Sequence, residues 1–131
     1  LIALLKNLSS NEIFMIVVNH LKSKQENEGI RLFQISFLIK YINEYKFNHS
    51  ISGVLFTGDL NAYPNSSTLD KIRESEFMKF KLNSCFEYLD EKSEFYLDFT
   101  SCKFRDKVYI SSIDYIFYSD KFKKISAKRA L

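Results

Sequence analysis

The chain has 131 residues, of which 46% are apolar and 16% are aromatic. This length fits one domain of modest size, and the composition excludes a disordered chain, because enough apolar side chains are present to form a core. The 19 Lys and Arg against 16 Asp and Glu give a net charge of +3. So mild an excess is compatible with an anionic substrate but does not require one.

The cysteines and the apolar segments exclude further classes of protein. Cys85 and Cys102 are far apart, with no CxxC pair and no histidine cluster nearby, which supports neither a zinc knuckle nor a disulfide framework. No apolar run approaches the ~20 residues that span a bilayer, and residues 1–5 lack the basic leader of a signal peptide. We expect a reducing compartment and no membrane partner. The predicted location is the cytoplasm, with nucleus and mitochondrion as alternatives.

The first elements form a hairpin followed by a helix. Residues 1–5 and 12–19 are apolar segments on either side of a polar turn, and residues 13–18 have no polar alternation, which predicts a strand buried on both faces. Residues 22–28 are polar and predict a solvated loop. An amphipathic helix of about four turns should follow. Its apolar side holds Leu32, Ile35, Leu38, Ile39 and Ile42, and its polar side Arg31, Gln34, Lys40 and Asn43.

A second strand and helix come next. Residues 51–56 predict a buried strand that is closed by residues 57–59, and residues 64–67 supply the cap of a short helix that ends near Arg73. Aromatic-rich strands are expected at residues 107–110 and 113–118, and a short alternating strand at residues 121–128. Lysines in this last segment would protect a sheet edge. The order of elements predicts an α/β fold in one unit, residues 1–131, and the missing initiator methionine suggests a domain cut at both ends.

Polar side chains stand at the ends of three predicted strands. His20 follows the first buried strand, Asp59 and Asn61 follow the second, and Asp114 lies at the start of the third. Strand ends are where rigid scaffolds commonly hold reacting groups. Each residue alone has a simpler explanation. His20 could be a hydrogen-bonded structural histidine, Asp59 and Asn61 could stabilise a turn, and Asp114 could pair with a lysine.

Taken together, the motifs resemble a known family. Asn19-His20-Leu21-Lys22, Gly58-Asp59-Leu60-Asn61-Ala62 and Ser112-Ile113-Asp114-Tyr115-Ile116-Phe117-Tyr118-Ser119 occur in the order found in the endonuclease/exonuclease/phosphatase superfamily. The chain is similar to its deadenylase branch, which contains nocturnin, the angel proteins and the carbon-catabolite-repressor-type poly(A) nucleases. Further similarities lie at Arg31, Gln34, Leu82-Asn83-Ser84, Thr100, Lys103, Arg105 and Ser126-Ala127.

This resemblance implies a four-layer α-β-β-α sandwich of the DNase I type, of which the chain would be about the second half. It implies a Mg²⁺-dependent phosphodiester hydrolase, with Mn²⁺ as a possible substitute, that removes adenylates from the 3′ end of RNA. The substrate would be poly(A) RNA or an adenine nucleotide. Two alternatives stay open: removal of the 2′-phosphate from NADP(H), and a degenerate module that only binds RNA or protein.

The resemblance also implies roles for single residues. Asp59 and Asn61 would bind the metal region and orient the attacking water, while His20 would donate to the phosphoryl oxygens as charge develops. Asp114 would orient a histidine beyond the end of this chain. Substrate phosphates would be held by Lys22, Lys24 and Arg105.

The chain departs from the family at several positions. The family's metal-binding glutamate and its closing Ser-Asp-His motif are not in these residues, so we expect the 131-residue chain to be inactive by itself. Cys102 replaces a tryptophan, Ser111 a histidine, and Tyr63 an acidic residue. These changes concern substrate choice more than reaction type, and Cys102 and Ser111 keep the binding-module alternative open.

Overall fold

The computed structural model describes residues 1–44, 48–85, 100–104 and 107–125. Arg105 and the tail formed by residues 126–131, both named by the resemblance, lie outside these ranges. Within the described part of the chain, no helix is long and apolar enough to cross a membrane.

The predicted hairpin at the start of the chain is confirmed. Strands β1 (Ile2–Lys6) and β2 (Ile13–His20) pair antiparallel. Asn7 fixes the turn, since its side-chain oxygen accepts from the amides of Ser9 at 2.9 Å and Ser10 at 3.3 Å. Such local bonds are the reason asparagine favours turns.

A helical crossover then leads to a parallel strand. One turn of 3₁₀ helix at Gln25–Asn27 leads directly into α1 (Glu28–Glu44), which has 17 residues. The loop predicted at residues 22–28 is therefore partly helical. Strand β3 (Ile51–Asp59) follows and pairs parallel with β2. A parallel pair requires a connection of this kind, so α1 must cross over one face of the sheet.

The predicted placement of Arg31 on the polar side of α1 is wrong. Its side chain is only 1% exposed, whereas Phe33 and Phe37 are 71% and 62% exposed and stack with ring centroids 6.5 Å apart. The expected burial of Ile35 and Ile39 is confirmed. The helix is apolar around most of its circumference, so its periodicity defines the inner face poorly. Arg31 can be buried because its guanidinium finds oxygen acceptors inside the fold.

The second helix and the remaining strands complete two sheets. Helix α2 (Ser67–Glu74) starts where predicted, with the Ser66 hydroxyl accepting from the amide of Leu69 at its N-terminus. The later strands are β4 (Leu82–Ser84), β5 (Ser101–Phe104), β6 (Val108–Ser111) and β7 (Asp114–Ser119). Five strands form one mixed sheet in the order β1-β2-β3-β7-β4, and β5 pairs with β6 in a two-stranded sheet.

The strand predicted at residues 121–128 is wrong over its described part. Strand β7 ends in a turn, and residues 121–125 form no strand. Lys121 instead forms an ion pair with Glu12 at 3.0 Å, and Lys124 donates to the carbonyl of Cys85 at 3.1 Å. The alternation in this segment therefore reflects surface lysines that bind neighbouring loops.

The two faces of the five-stranded sheet differ in coverage. The covered face lies in the core beneath the helices and includes Met15, Val17, Val54, Phe56 and Phe117, all 0% exposed. The alternate residues form what we call the open face: Leu5, Ile16, Val18, Leu55 and Ile116. Val18 is 39% and Ile116 44% exposed. Residues 13–18 were predicted to be buried on both faces of the sheet. This prediction is wrong for the described part of the chain, in which other residues cover only one face of the strand.

Candidate active site

Three of the predicted residues lie side by side at one end of the sheet. His20 is the register partner of Asp59 across the parallel pair β2 and β3, and Asp59 is the partner of Asp114 across the antiparallel pair β3 and β7. The carboxyl ends of two parallel strands meet at one edge, and an antiparallel neighbour begins at that edge. Topology therefore gathers these residues into one row across adjacent strands.

The side chains of His20 and Asp59 lie close together in this row. The Nε2 atom of His20 lies 3.8 Å from Oδ2 of Asp59, with the side chains 74% and 34% exposed. At that distance, and with that exposure, the attraction is weak even when the imidazole is protonated. Both groups thus remain available to a ligand that approaches from the open face.

Asp59 and the third member of the row, Asp114, carry like charges on neighbouring strands. Asp59 and Asp114 are direct cross-strand partners, and like charges placed in this way destabilise a sheet. A cation or a donor beside them would relieve the repulsion. The row is therefore suited to binding a positive ion or a protonated group.

Gly58 allows strand β3 to approach β2 immediately before Asp59. Its φ of +142° is rarely adopted by other residues, and an added Cβ would lie 1.8 Å from the carbonyl oxygen of Asn19. Only glycine fits, since the neighbouring atom is backbone and cannot move aside. The glycine of the Gly-Asp-Leu-Asn motif thus sets the spacing between His20 and Asp59.

Asn61 folds the turn after Asp59 back toward β2. Its amide donates to Oδ1 of Asp59 at 2.9 Å, and its side-chain Nδ2 donates to the carbonyl of Leu21 at 3.1 Å, while its φ is +47°. Asparagine tolerates this left-handed conformation better than most residues. The side-chain nitrogen is thus engaged in holding the loop after His20, and the amide oxygen is the group that Asn61 can offer to a ligand.

Backbone contacts hold Asp114 in place. Thr100 accepts from the amides of Ile113 at 2.9 Å and Asp114 at 3.0 Å through its hydroxyl oxygen. The Tyr115 hydroxyl lies 2.9 Å from the carbonyl oxygens of both Ala62 and Ser112. Thr100 and Tyr115 were not assigned a positioning role from the sequence, where only their place in the motifs marks them.

The predicted phosphate-binding lysines follow His20 directly. Lys22 and Lys24 are both exposed in the loop between β2 and α1, and neither forms an ion pair within the described ranges. Their positive charges therefore lie on the same loop as His20. Arg105, the third predicted phosphate ligand, is outside the described residues.

Cys85 does not form part of the row. Its amide donates to the carbonyl of Ile116 at 2.8 Å, and partial burial raises the pKa of its thiol despite the nearby Lys124. A thiol with a raised pKa is a poor nucleophile at neutral pH. Cys85 is therefore a structural residue at the edge of the sheet.

The donors of the row suit a hard cation in type but are too few in number. Carboxylate and amide oxygens, as in Asp59, Asn61 and Asp114, are the ligands that Mg²⁺ prefers. Among the described residues, however, no group of three His, Cys, Asp or Glu side chains is close enough to hold a metal ion. The described residues by themselves therefore do not form a metal centre with three such ligands.

Known structures provide an independent comparison. No protein-family model and no curated protein sequence matches the chain. The human nocturnin catalytic domain with bound sulfate has 26% identity and a TM-score of 0.65 over 89% of this chain. ANGEL2, a 2′,3′-cyclic phosphatase, in complex with adenosine-2′,3′-vanadate has 17% identity and a TM-score of 0.66 over 90%.

TDP2 from D. rerio, complexed with a single-strand DNA product, has 18% identity and a TM-score of 0.63 over 98% of the chain. The chain spans 39% of nocturnin, 48% of ANGEL2 and 50% of TDP2 in these structures. At most half of each neighbour is therefore represented. The predicted α/β class and the DNase I-like fold are both confirmed.

Proposed function

Since the chain belongs by its fold to the endonuclease/exonuclease/phosphatase superfamily, we propose that it carries part of the active site of a phosphoesterase. The observation that carries this proposal is the row of His20, Asp59 and Asp114 across three adjacent strands. A phosphate ester resists attack because its oxygens are negatively charged, so a catalyst must neutralise charge and orient a water. The row offers a proton donor beside carboxylates that can orient water.

Asp59 is proposed to orient the attacking water, and Asn61 to hold it or a phosphate oxygen. The position of Asp59 supports this role, since it is fixed by the Asn61 amide and lies at the end of a rigid strand. His20 is proposed to donate to the phosphoryl oxygens, which its exposed imidazole can do from the open face. Lys22 and Lys24 provide positive charge for phosphates further along the substrate.

Mg²⁺ is the proposed cofactor, and Mn²⁺ could replace it. When bound, such an ion polarises a phosphoryl oxygen and neutralises developing charge. Asp59 and Asn61 would hold it through oxygen, together with ligands from outside the described residues. Asp114 is proposed to orient a histidine that also lies outside them.

The preferred substrate is a nucleotide phosphodiester, and we propose removal of adenylates from the 3′ end of RNA. The neighbours support a nucleotide or nucleic acid substrate, because one holds an adenosine vanadate and another a DNA product. Removal of a 2′-phosphate from NADP(H) is the second candidate. The similarity to the nocturnin catalytic domain, which was solved with a bound sulfate anion, favours it.

Assays of the complete protein would separate these activities. With Mg²⁺ present, release of AMP from oligo(A) and release of phosphate from NADP would be compared between the wild type and Asp59→Asn. Loss of one such preorganised group costs about 10²–10³-fold in rate. The matched control is Asp70→Asn, since Asp70 is an exposed carboxylate on α2 that pairs with Arg73. Neither activity in the wild type, with retained RNA binding, would favour the noncatalytic module instead.

A further inference from the structure

The loop between β2 and α1, residues 21–25, is held by hydrogen bonds to the turn after β3, to α1 and to the adjoining 3₁₀ turn. The amide of Leu21 donates to the carbonyl of Asp59 at 3.0 Å, and the carbonyl of Leu21 accepts from Asn61. The amide of Lys22 donates to the side-chain oxygen of Gln34 at 3.0 Å. This loop is thus tied directly to the turn that contains Asp59.

Arg31 supplies three further contacts of the loop. Its guanidinium donates to the carbonyl oxygens of Lys22 at 2.9 Å, Lys24 at 2.6 Å and Gln25 at 3.2 Å. The planar fork of arginine can reach several acceptors at once, which the single ammonium of lysine cannot do. Arg31 therefore contacts three backbone acceptors, of which the Lys24 carbonyl also accepts from the amide of Asn27 at 3.2 Å in the 3₁₀ turn.

The charge of Arg31 is neutralised at the same point. Glu28 lies 2.8 Å from the guanidinium, and its other carboxylate oxygen accepts from the amide of Thr68 at 2.8 Å. A buried guanidinium without such a partner would be strongly unfavourable. Glu28 thus fixes Arg31 in place and connects it to the N-terminal turn of α2.

The conformation of Lys24 shows that the loop is constrained. Its φ is +74°, in a region that residues other than glycine rarely adopt. Its carbonyl accepts from Arg31 at 2.6 Å and from the amide of Asn27 at 3.2 Å, and these two contacts can hold it there. Both lysine side chains remain exposed while their backbone is fixed from below.

We propose that Arg31, anchored by Glu28, is a positioning residue that holds the loop so that Lys22 and Lys24 face the substrate beside His20. The proposal rests on the proposed phosphoesterase function. Arg31 itself is 1% exposed and does not reach the substrate. It acts through the backbone of the two lysines, which sets where their side chains start relative to His20.

The test uses the complete protein with Arg31→Lys, which keeps the charge but loses the fork. Ile35→Val is the matched control, because Ile35 is a fully buried residue one turn further along α1 whose side chain has no hydrogen-bond donor to offer the loop carbonyls. The first measurement is deuterium exchange over residues 21–27, which needs no activity. We expect roughly tenfold faster exchange there in Arg31→Lys, as expected for local opening, and no change in Ile35→Val. Unchanged exchange in Arg31→Lys would overturn the proposal.

The second measurement is the steady-state kinetics with oligo(A). If the lysines bind substrate phosphates, loosening them should raise KM about tenfold while kcat stays within about twofold, as for lost uniform binding. Arg31→Lys should then have no further effect on KM in the double variant Lys22→Ala, Lys24→Ala, because the contacts it supports are already gone. Additive effects on KM, or an equal fall of kcat in Arg31→Lys and Ile35→Val, would contradict the positioning role.

The two measurements separate this inference from the proposed function. If the wild type hydrolyses no phosphoester, the proposed function is wrong and the role toward substrate falls with it. The exchange result would still decide whether Arg31 holds the loop. If the wild type is active but neither exchange nor KM changes in Arg31→Lys, only the positioning role is wrong.

Discussion

The two faces of the five-stranded sheet have similar apolar residues but different surroundings. On the covered face, Val54 and Phe56 are completely buried beneath the helices. On the open face, Val18 is 39% and Ile116 is 44% exposed to solvent. The row of His20, Asp59 and Asp114 lies at the end of the open face. The side of the sheet that the described residues leave partly exposed is therefore the side that bears the candidate chemistry.

This difference indicates how the site is completed. A large exposed apolar face is unusual in a stable domain and marks a surface that contacts another part of the protein. The neighbours have the DNase I-like fold, and the chain spans at most half of each. The four-layer sandwich predicted from the sequence would place a second sheet on the open face and bring further ligands to the row.

The largest effect is expected on the covered face. Phe56→Ala should lower the free energy of unfolding of the complete protein by about 3–5 kcal/mol, because a fully buried ring is lost and a cavity is left. Phe33→Ala is the control, since that ring is 71% exposed on α1, and it should change stability by no more than about 0.5 kcal/mol. Denaturant unfolding measures both. Equal losses would show that α1 is covered on its outer side.

Gly58→Ala tests the close approach of β2 and β3. We expect a loss of about 3 kcal/mol from backbone strain, since φ is +142° and the new Cβ would clash with the carbonyl of Asn19. Gly29→Ala provides the matched control, because nothing lies within 4 Å of its Cβ position and alanine favours a helix. That variant should gain about 0.5–1 kcal/mol. A neutral Gly58→Ala would mean that the strands are further apart than described.

A substitution on the open face tests the difference between the two faces most directly. If a second sheet covers it, Ile116→Ala in the complete protein should cost about 2 kcal/mol or more, as at a buried site. If solvent covers it, the cost should stay near 0.5 kcal/mol, as at an exposed site. Thermal and denaturant unfolding both report this difference. The smaller value would refute the prediction that another sheet packs there.

The smallest effect concerns the pH dependence of stability. Partial burial favours the neutral form of Glu28, but hydrogen bonds from the amide of Thr68 and from Arg31 outweigh it and hold the pKa of Glu28 below its ordinary value. A carboxyl whose pKa is lowered by folding stabilises the folded protein at pH values above the pKa that it has in the unfolded chain. This contribution is lost as the pH falls through the pKa that it has in the folded protein.

Glu28→Gln keeps an oxygen that can accept from Arg31 or Thr68 but loses the charge. It should therefore destabilise the protein by about 1 kcal/mol at neutral pH, as for a partly exposed charged pair. The difference from the wild type should shrink as the pH falls below the ordinary range of a glutamate carboxyl. Unfolding curves at several pH values would show this. A constant difference across that range would mean that the Glu28 charge does not contribute.

The sequence predicted the elements that are set by local patterns. Apolar runs marked β2 and β3, and the Ser66 cap marked the start of α2, so their positions are confirmed. The motif order also named the three residues of the row, and topology explains why they meet. Their catalytic roles remain predictions, since they depend on groups beyond the described residues.

Other features depended on contacts that local patterns do not contain. Arg31 was expected on the polar side of α1 because of the helical spacing, yet its guanidinium is buried against three carbonyl oxygens of the loop that precedes the helix. Strands β4 and β5 have three and four residues and form through pairing with neighbours rather than by propensity. The exposure of Val18 depends on which other residues cover the sheet, which a single segment cannot specify.

The most direct test of the account compares the 131-residue chain with the complete protein in one assay. Hydrolysis of oligo(A) and of NADP would be measured with Mg²⁺ for both, with Asp59→Asn in the complete protein as the reference for a broken site. We predict background rates for the chain alone, and activity in the complete protein that falls about 10²-fold or more in Asp59→Asn. Turnover by the isolated chain near that of the complete protein would contradict the claim that this row is only part of an active site.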